Sequence, residues 1–358
     1  MKWSFKLGRF AGIDVNVHAT FFLLLAWFGY FYWSATGTVA GTLNGIALIL
    51  LLFLCVLLHE YGHALAARRF GIRTKDITLL PIGGVAMLEK MPDDPKQEVI
   101  VALAGPAVNV AIAAFLFLLI ALGGQEGSLL QFDVDRGSLL PTLLTTNIIL
   151  AIFNLLPAFP MDGGRVLRAV LAMRMDRVRA TRHAATVGRA LALLFGFLGL
   201  TGNPLLILIA IFVWVGAGAE ADATEVDARL SQKPVGLAMI TDFHTLHPGD
   251  PLARAVDLTL SGTQKHFPVV ENGELRGVAS QSAILRGLRD FGVEGQVGEI
   301  MGSAHTAEVG TSLDVLLRDL QETDVRIVCI TRAGKLAGLV DLENISEYLR
   351  IQEALGRG

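Results

Sequence analysis

Residues 15–59 contain no Asp, Glu, Lys or Arg, and this charge-free run ends in "LLHEYGHALAARRF", residues 57–70. Few environments tolerate such a run. A bilayer core requires about 20 apolar residues as helix to cross about 30 Å of hydrocarbon. Six segments approach that requirement, at about 18–35, 43–67, 97–122, 138–157, 184–200 and 203–219. "TGNP" divides the last two, and Gly202-Asn203 followed by Pro204 predicts a turn rather than one broken helix. The expected fold is therefore a polytopic α-helical membrane domain of about six transmembrane helices, residues 1–219. It is followed by a linker over 220–236 and a soluble α/β region over 237–358.

Charge separates the two parts. Before residue 220 there are 17 Lys and Arg against 12 Asp and Glu; from residue 220 onward there are 13 against 21. With the N-terminus in the cytoplasm, segments 1–17, 64–96 and 162–189 carry 3, 6 and 7 basic residues, against Arg136 alone outside. This asymmetry orients the chain with its N-terminus and its acidic half cytoplasmic. "MKWSFKLGRF" precedes an apolar stretch that has no clear small-residue cleavage site, so a retained first span is expected rather than a removed signal. Cys55 and Cys329 have neither disulfide-framework nor metal-ligand spacing with one another. No nucleic-acid partner is expected.

The second span runs inward and places "HEYGH" near its cytoplasmic end. Residues four apart share a helix face, so His59 and His63 can point imidazoles at one metal, and Glu60, offset by about 100°, can reach a water there. Ionisable groups within a span are costly and usually mark a functional site. A catalytic zinc takes three protein ligands and leaves one position open. Asp162, in "NLLPAFPMDGG", follows the fourth span at the same depth and is the best third ligand, although it could also cap the helix after it. Pro157 and Pro160 break the helix before it. From Gly163 onward, Arg165, Arg168, Arg174, Arg177, Arg179 and Arg182 sit among apolar residues. They suit either a helix lying at the anionic headgroups or an ordinary basic loop helix.

"HEYGH", together with Asn154, Pro157, Asp162 and Gly163 in an N-x-x-P-x-x-x-x-D-G arrangement, resembles the site-2 protease family of intramembrane zinc metalloproteases. The six-span layout with a C-terminal extension is similar to the bacterial branch that contains the sporulation proteases. That resemblance implies one Zn2+ per chain on His59, His63 and Asp162, Glu60 as general base and acid, and Asn154 holding the substrate carbonyl or oxyanion. "GPAVN", Gly105 to Asn109, resembles a small-residue stretch in the family's third span. Plain helix packing is the expectation for Gly105, with Asn109 left open. His18, at the head of the first span, either approaches and gates the site or is an interfacial histidine, the commoner case. Gly83 and Gly84, between the apolar arms of "TLLPIGGVAMLEK" at 78–90, predict a hairpin whose edge could hold an unwound substrate as an added strand.

In the acidic half, "HFPVVENGELRGVASQSAIL" from His266 and "RIVCITRAGKLAGLVDLENIS" from Arg326 are internally similar, with Gly277 and Gly338 sixty-one residues apart. "VGLAM", Val235 to Met239, has its counterpart in "VGEIM". Such a repeat predicts a pseudo-symmetric pair, about 237–297 and 298–358. The units look like a tandem CBS domain pair, which implies an adenine nucleotide between the halves and a possible homodimer through them. Where the usual pattern has Thr or Ser and then a ribose-contacting Asp, the first unit has Ser280 and Ala283 and the second Asp341 and Asn344. The ribose Asp is therefore missing from both.

The leading expectation is a zinc endopeptidase that cuts a transmembrane protein substrate, of anti-sigma or pro-sigma factor type, within the lipid bilayer and under CBS regulation. The competing expectations are a CBS-regulated metal-ion transporter or channel using the same His/Asp cluster, and a membrane adaptor with a vestigial site.

Overall fold

A computed structural model describes residues 3–81, 83–89, 91–123, 139–322 and 325–356. Arg136 lies outside the described residues. The chain divides into two compact units, Met1–Thr224 and Glu225–Gly358.

In the first unit, β1 (Ser4–Phe10) and β2 (Ile13–His18) form an antiparallel hairpin that turns at Ala11-Gly12, both with positive φ. Two helices follow, α1 (Thr20–Thr36) and α2 (Val39–Arg69). Gly37, left-handed at φ +64°, ends the first, and the Thr38 side chain caps the second by accepting from the Gly41 N–H. The chain then returns through β3 (Thr74–Leu80), parallel to β2, and β4 (Gly83–Leu88), antiparallel to β3, giving the order β1-β2-β3-β4. The hairpin expected at Gly83-Gly84 is this β3–β4 pair. Ile13 and Ile77 from the sheet pack on Ala64 of α2, while Tyr61 Oη and the Arg68 guanidinium donate to the Phe10 and Ala11 carbonyls. The sheet is thereby fastened along the turns of α2 around His59 and His63.

The remaining helices are α3 (Pro95–Leu122), α4 (Leu139–Asn154), α5 (Asp162–Ala172), α6 (Arg177–Thr201) and α7 (Leu205–Leu230). α3 packs against α2, α4 and α5 and is the centre of the unit. Each of the six apolar segments forms a helix. Among the described residues, α2, α3, α6 and α7 are long and apolar enough to cross a membrane. α1 and the described part of α4 are shorter apolar helices, of 17 and 16 residues. The turn at "GNP" is present, closed by an Asn203 side chain that accepts from the Leu205 N–H at 3.0 Å.

The Arg-rich stretch is two helices rather than one, because Asp176 captures a new N-terminus by accepting from the Arg179 N–H at 2.9 Å. Nor do all six arginines face headgroups. Arg168 is 1% exposed; its Nε donates to Glu98 at 2.8 Å, its other nitrogens reach Glu98 and Glu220 at 2.5 Å, and its guanidinium lies 5.2 Å from the Phe159 ring centroid. The pairing ties α5 to the first turn of α3 and to α7. Removing one partner of a buried pair leaves the other uncompensated.

The second unit bears out the repeat. Its first half is α8 (Leu252–Ser261), β5 (His266–Glu271), β6 (Glu274–Ser280) and α9 (Gln281–Phe291). After the short α10 (Val297–Ile300) and β7 (Thr306–Glu308), the second half is α11 (Leu313–Glu322), β8 (Val328–Arg332), β9 (Lys335–Val340) and α12 (Leu342–Ala354). Asn272-Gly273 and Ala333-Gly334 turn the two hairpins with positive φ at both residues. Ser280 and Asp341 cap α9 and α12. The segments leading into the halves are exchanged: Ile240 bridges to Leu339, and Gly302 to Val278. The stretch expected as a linker is helical as far as Leu230, and Leu230 and Val235 are buried in the core of the second half. Cys55 and Cys329 are buried free thiols, and burial pushes Cys329 up to about 11.

Arg168→Met should destabilise the membrane unit by about 3–5 kcal/mol in unfolding of the detergent-solubilised protein, and adding Glu98→Gln should recover most of that loss.

Candidate metal centre

α2 delivers His59 and His63, one turn apart on the same buried face, and α5 delivers Asp162 as its first residue. The two Nε2 atoms are 3.1 Å apart, and Asp162 Oδ2 lies 3.2 and 3.1 Å from His59 and His63. Four ligands about 2.0–2.2 Å from a tetrahedral zinc are separated by about 3.3 Å, so this triangle fits one such ion with a fourth position open. The donor set, two imidazoles and a carboxylate, is that of a catalytic zinc.

The outward nitrogens are engaged as well. His63 Nδ1 lies 2.7 Å from the Val101 carbonyl oxygen, and His59 Nδ1 lies 2.5 Å from Asn109 Oδ1. Such bonds orient a ligating imidazole and raise its basicity. Asn109 Nδ2 continues to Asn147 Oδ1 at 2.9 Å, and Asn147 Nδ2 to the Leu143 carbonyl at 2.9 Å.

Close approach of α3 to α2 makes this possible. A Cβ on Gly105 would meet the His63 imidazole, with Cε1 at 2.6 Å, and His59 Nε2 at 2.7 Å. Gly105 therefore keeps volume free beside the metal-facing nitrogens, a role more specific than the plain packing expected of it. Gly164 is equally constrained, since a Cβ there would lie 2.6 Å from the Ala158 backbone, which presses the loop of 155–161 onto the start of α5.

Glu60 is half-buried, and a Cβ on Gly84 would stand 2.7 Å from its Cγ. β4 thus passes directly over the Glu60 side chain. Asn154 ends α4, where its amide donates to the Leu150 carbonyl at 3.0 Å; no described hydrogen bond carries it to the His–Asp cluster. His18 shares a hydrogen bond with Thr20 Oγ1 at 2.8 Å. Asn147 escaped sequence reading: it stands two turns before Asn154, directly after Thr145 and Thr146, and nothing in that local pattern sets it apart.

Comparisons with known proteins place the chain in a family. The pattern of Peptidase family M50 matches residues 47–136 and 125–195, and that of the CBS domain matches residues 235–290. The zinc metalloprotease MJ0392 of Methanocaldococcus jannaschii is 32% identical over 356 residues, 99% of this chain and 98% of that protein. The chain belongs to peptidase family M50, the site-2 proteases. The stage IV sporulation protein FB of Bacillus subtilis is 29% identical over 169 residues, 46% of this chain and 54% of that one. Among solved structures, the site-2 protease from Methanocaldococcus jannaschii shares 36% identity over 61% of this chain and 95% of its own, with a TM-score of 0.45. As an M50 peptidase the chain is an intramembrane zinc metalloprotease carrying a CBS region.

Ala in place of Gly normally strengthens a helix by about 1 kcal/mol. Gly105→Ala in this M50 site should instead abolish stoichiometric zinc, read by metal analysis of the purified protein, while the far-UV helix signal is retained.

Proposed function

We propose that this M50 peptidase cuts a transmembrane protein substrate near its cytoplasmic face, using one zinc held by His59, His63 and Asp162. The observation that carries the reading is the triangle of three ligand atoms 3.1–3.2 Å apart at the end of a charge-free run. Zinc supplies Lewis acidity there, polarising the attacking water and the scissile carbonyl. Glu60, next to the first histidine but not aimed with it, takes the proton of the water and returns it to the leaving amine. Asn154 receives the carbonyl oxygen by exchanging its bond to Leu150 for one to the substrate.

A helical substrate has to unwind before its peptide bonds can be attacked. β4, last in the sheet order and lying against Glu60, offers a strand edge on which an extended segment adds by main-chain hydrogen bonds beside the catalytic carboxylate. The N-terminus and the CBS unit are cytoplasmic in a cell membrane, as the basic inner segments favour. Substrates of anti-sigma or pro-sigma type suit a cut at that depth.

The CBS pair regulates cleavage through a bound adenine nucleotide. Two of its clefts differ in charge: one of about 540 Å³ is lined by Lys265, Arg286, His305 and Arg326 with no carboxylate, and one of about 590 Å³ shares Lys265 but adds Asp242, Asp341, Glu343 and Glu347. Phosphates are favoured in the first and opposed in the second. Ser280 and Asp341, which align with the nucleotide pattern, are occupied as helix caps. Homodimerisation through the CBS units belongs to the same reading.

Co-expression with single-span candidate substrates tests the proposal. Wild type should give a product whose mass places the cut near the cytoplasmic end of the span, and Glu60→Gln should retain zinc and give no product. Cleavage surviving in Glu60→Gln contradicts the assignment, and a β3–β4 deletion that keeps zinc and full cleavage contradicts strand pairing.

A further inference from the structure

The hydrogen bonds behind His59 have a direction set from their far end. The Leu143 carbonyl can only accept, so the Asn147 amide must turn its Nδ2 toward it, at 2.9 Å. Asn147 Oδ1 is then left facing Asn109, and an oxygen there can only be met by the Asn109 Nδ2, also at 2.9 Å. That in turn leaves Asn109 Oδ1, an acceptor, 2.5 Å from His59 Nδ1. His59 must place a proton on Nδ1 to satisfy it, so the neutral ring that a metal requires carries its lone pair on Nε2, on the side of His63 and Asp162. Both asparagines are fully buried, at 0% exposure, so no solvent water competes for either amide. A flip of one would set donor against donor or acceptor against acceptor along the whole line.

His63 reaches the same state in one step, through the Val101 carbonyl 2.7 Å from its Nδ1. Both imidazoles are thus held as Nδ1–H tautomers by backbone carbonyls, one on α3 directly and one on α4 through two amides.

We propose that Asn147 is a positioning residue of the metal centre: it locks the Asn109 amide in the orientation that keeps His59 a metal-ready Nδ1–H tautomer. The proposal rests on the reading that His59 holds zinc through Nε2. It assigns α4 a part in zinc affinity although that helix contributes no ligand.

Zinc affinity of the purified full-length protein, measured by chelator competition without substrate, tests this. Asn147→Leu, of similar volume but without polar atoms, should weaken zinc binding about 10-fold, the low end of the loss of about 10–100-fold seen when the direct outer partner of a ligating histidine is removed. Adding Asn109→Asp should restore affinity to within a few-fold of wild type, because a carboxylate accepts from His59 Nδ1–H in either orientation and needs no partner to set it. A packing role for Asn147 would not be rescued in this way. Asn147→Ala, alone and with Asn109→Asp, serves the same comparison if Leu is not tolerated. Wild-type affinity in the single variant, or no recovery in the double variant, overturns the proposal. A wild type that binds no zinc at all overturns the underlying metal reading and the proposal with it.

Discussion

A polar atom inside hydrocarbon has no water to bond, and each one left unsatisfied costs several kcal/mol. A protein that carries two histidines, two asparagines and an Arg–Glu pair between membrane helices must therefore provide a partner for every one of them. In this chain the provider is α3. Its Val101 carbonyl takes the His63 ring, its Asn109 takes the His59 ring, its Glu98 takes Arg168, and its Gly105 leaves room for both imidazoles. All four lie within residues 98–109, about three helical turns. The helices bearing the proposed ligands, α2 and α5, are arranged around this stretch.

What could be read from the sequence followed from periodicity and depth. His59, Glu60 and His63 declare themselves by helical spacing at the end of a charge-free run. Asp162 follows from the direction of the fourth span, and the structure brings its carboxylate to both imidazoles. The repeat in the acidic half was equally legible, down to the equivalence of "VGLAM" and "VGEIM". What stayed hidden depends on pairing between elements distant in sequence. Nothing local marks Glu98 as the partner of Arg168, seventy residues away, so the arginine reads as one more basic residue at a membrane surface. Asn147 is silent for the same reason, since its meaning comes from Asn109 on a different helix. Gly105 looked like a packing residue because sequence shows that it is small but not what it is small for.

The two units solve different problems. The membrane unit fits a small polar core, bonded largely through α3, into an apolar shell, with a sheet fastened along α2 that lays its edge strand over Glu60. The CBS unit builds two cores from one repeated motif and exchanges their leading segments, which leaves clefts of opposite charge. Within the membrane unit, Glu220 on α7 bonds Arg168, about two helical turns along α5 from Asp162. The ion pair and the proposed ligand therefore share α5.

The central claim is that a single zinc sits among His59, His63 and Asp162. X-ray absorption at the zinc edge, on detergent-purified protein, reads the ligand atoms directly. The account predicts two imidazole nitrogens and one or two oxygens at about 2.0–2.2 Å, with no sulfur. A sulfur shell at about 2.3 Å, or a single imidazole, would contradict it.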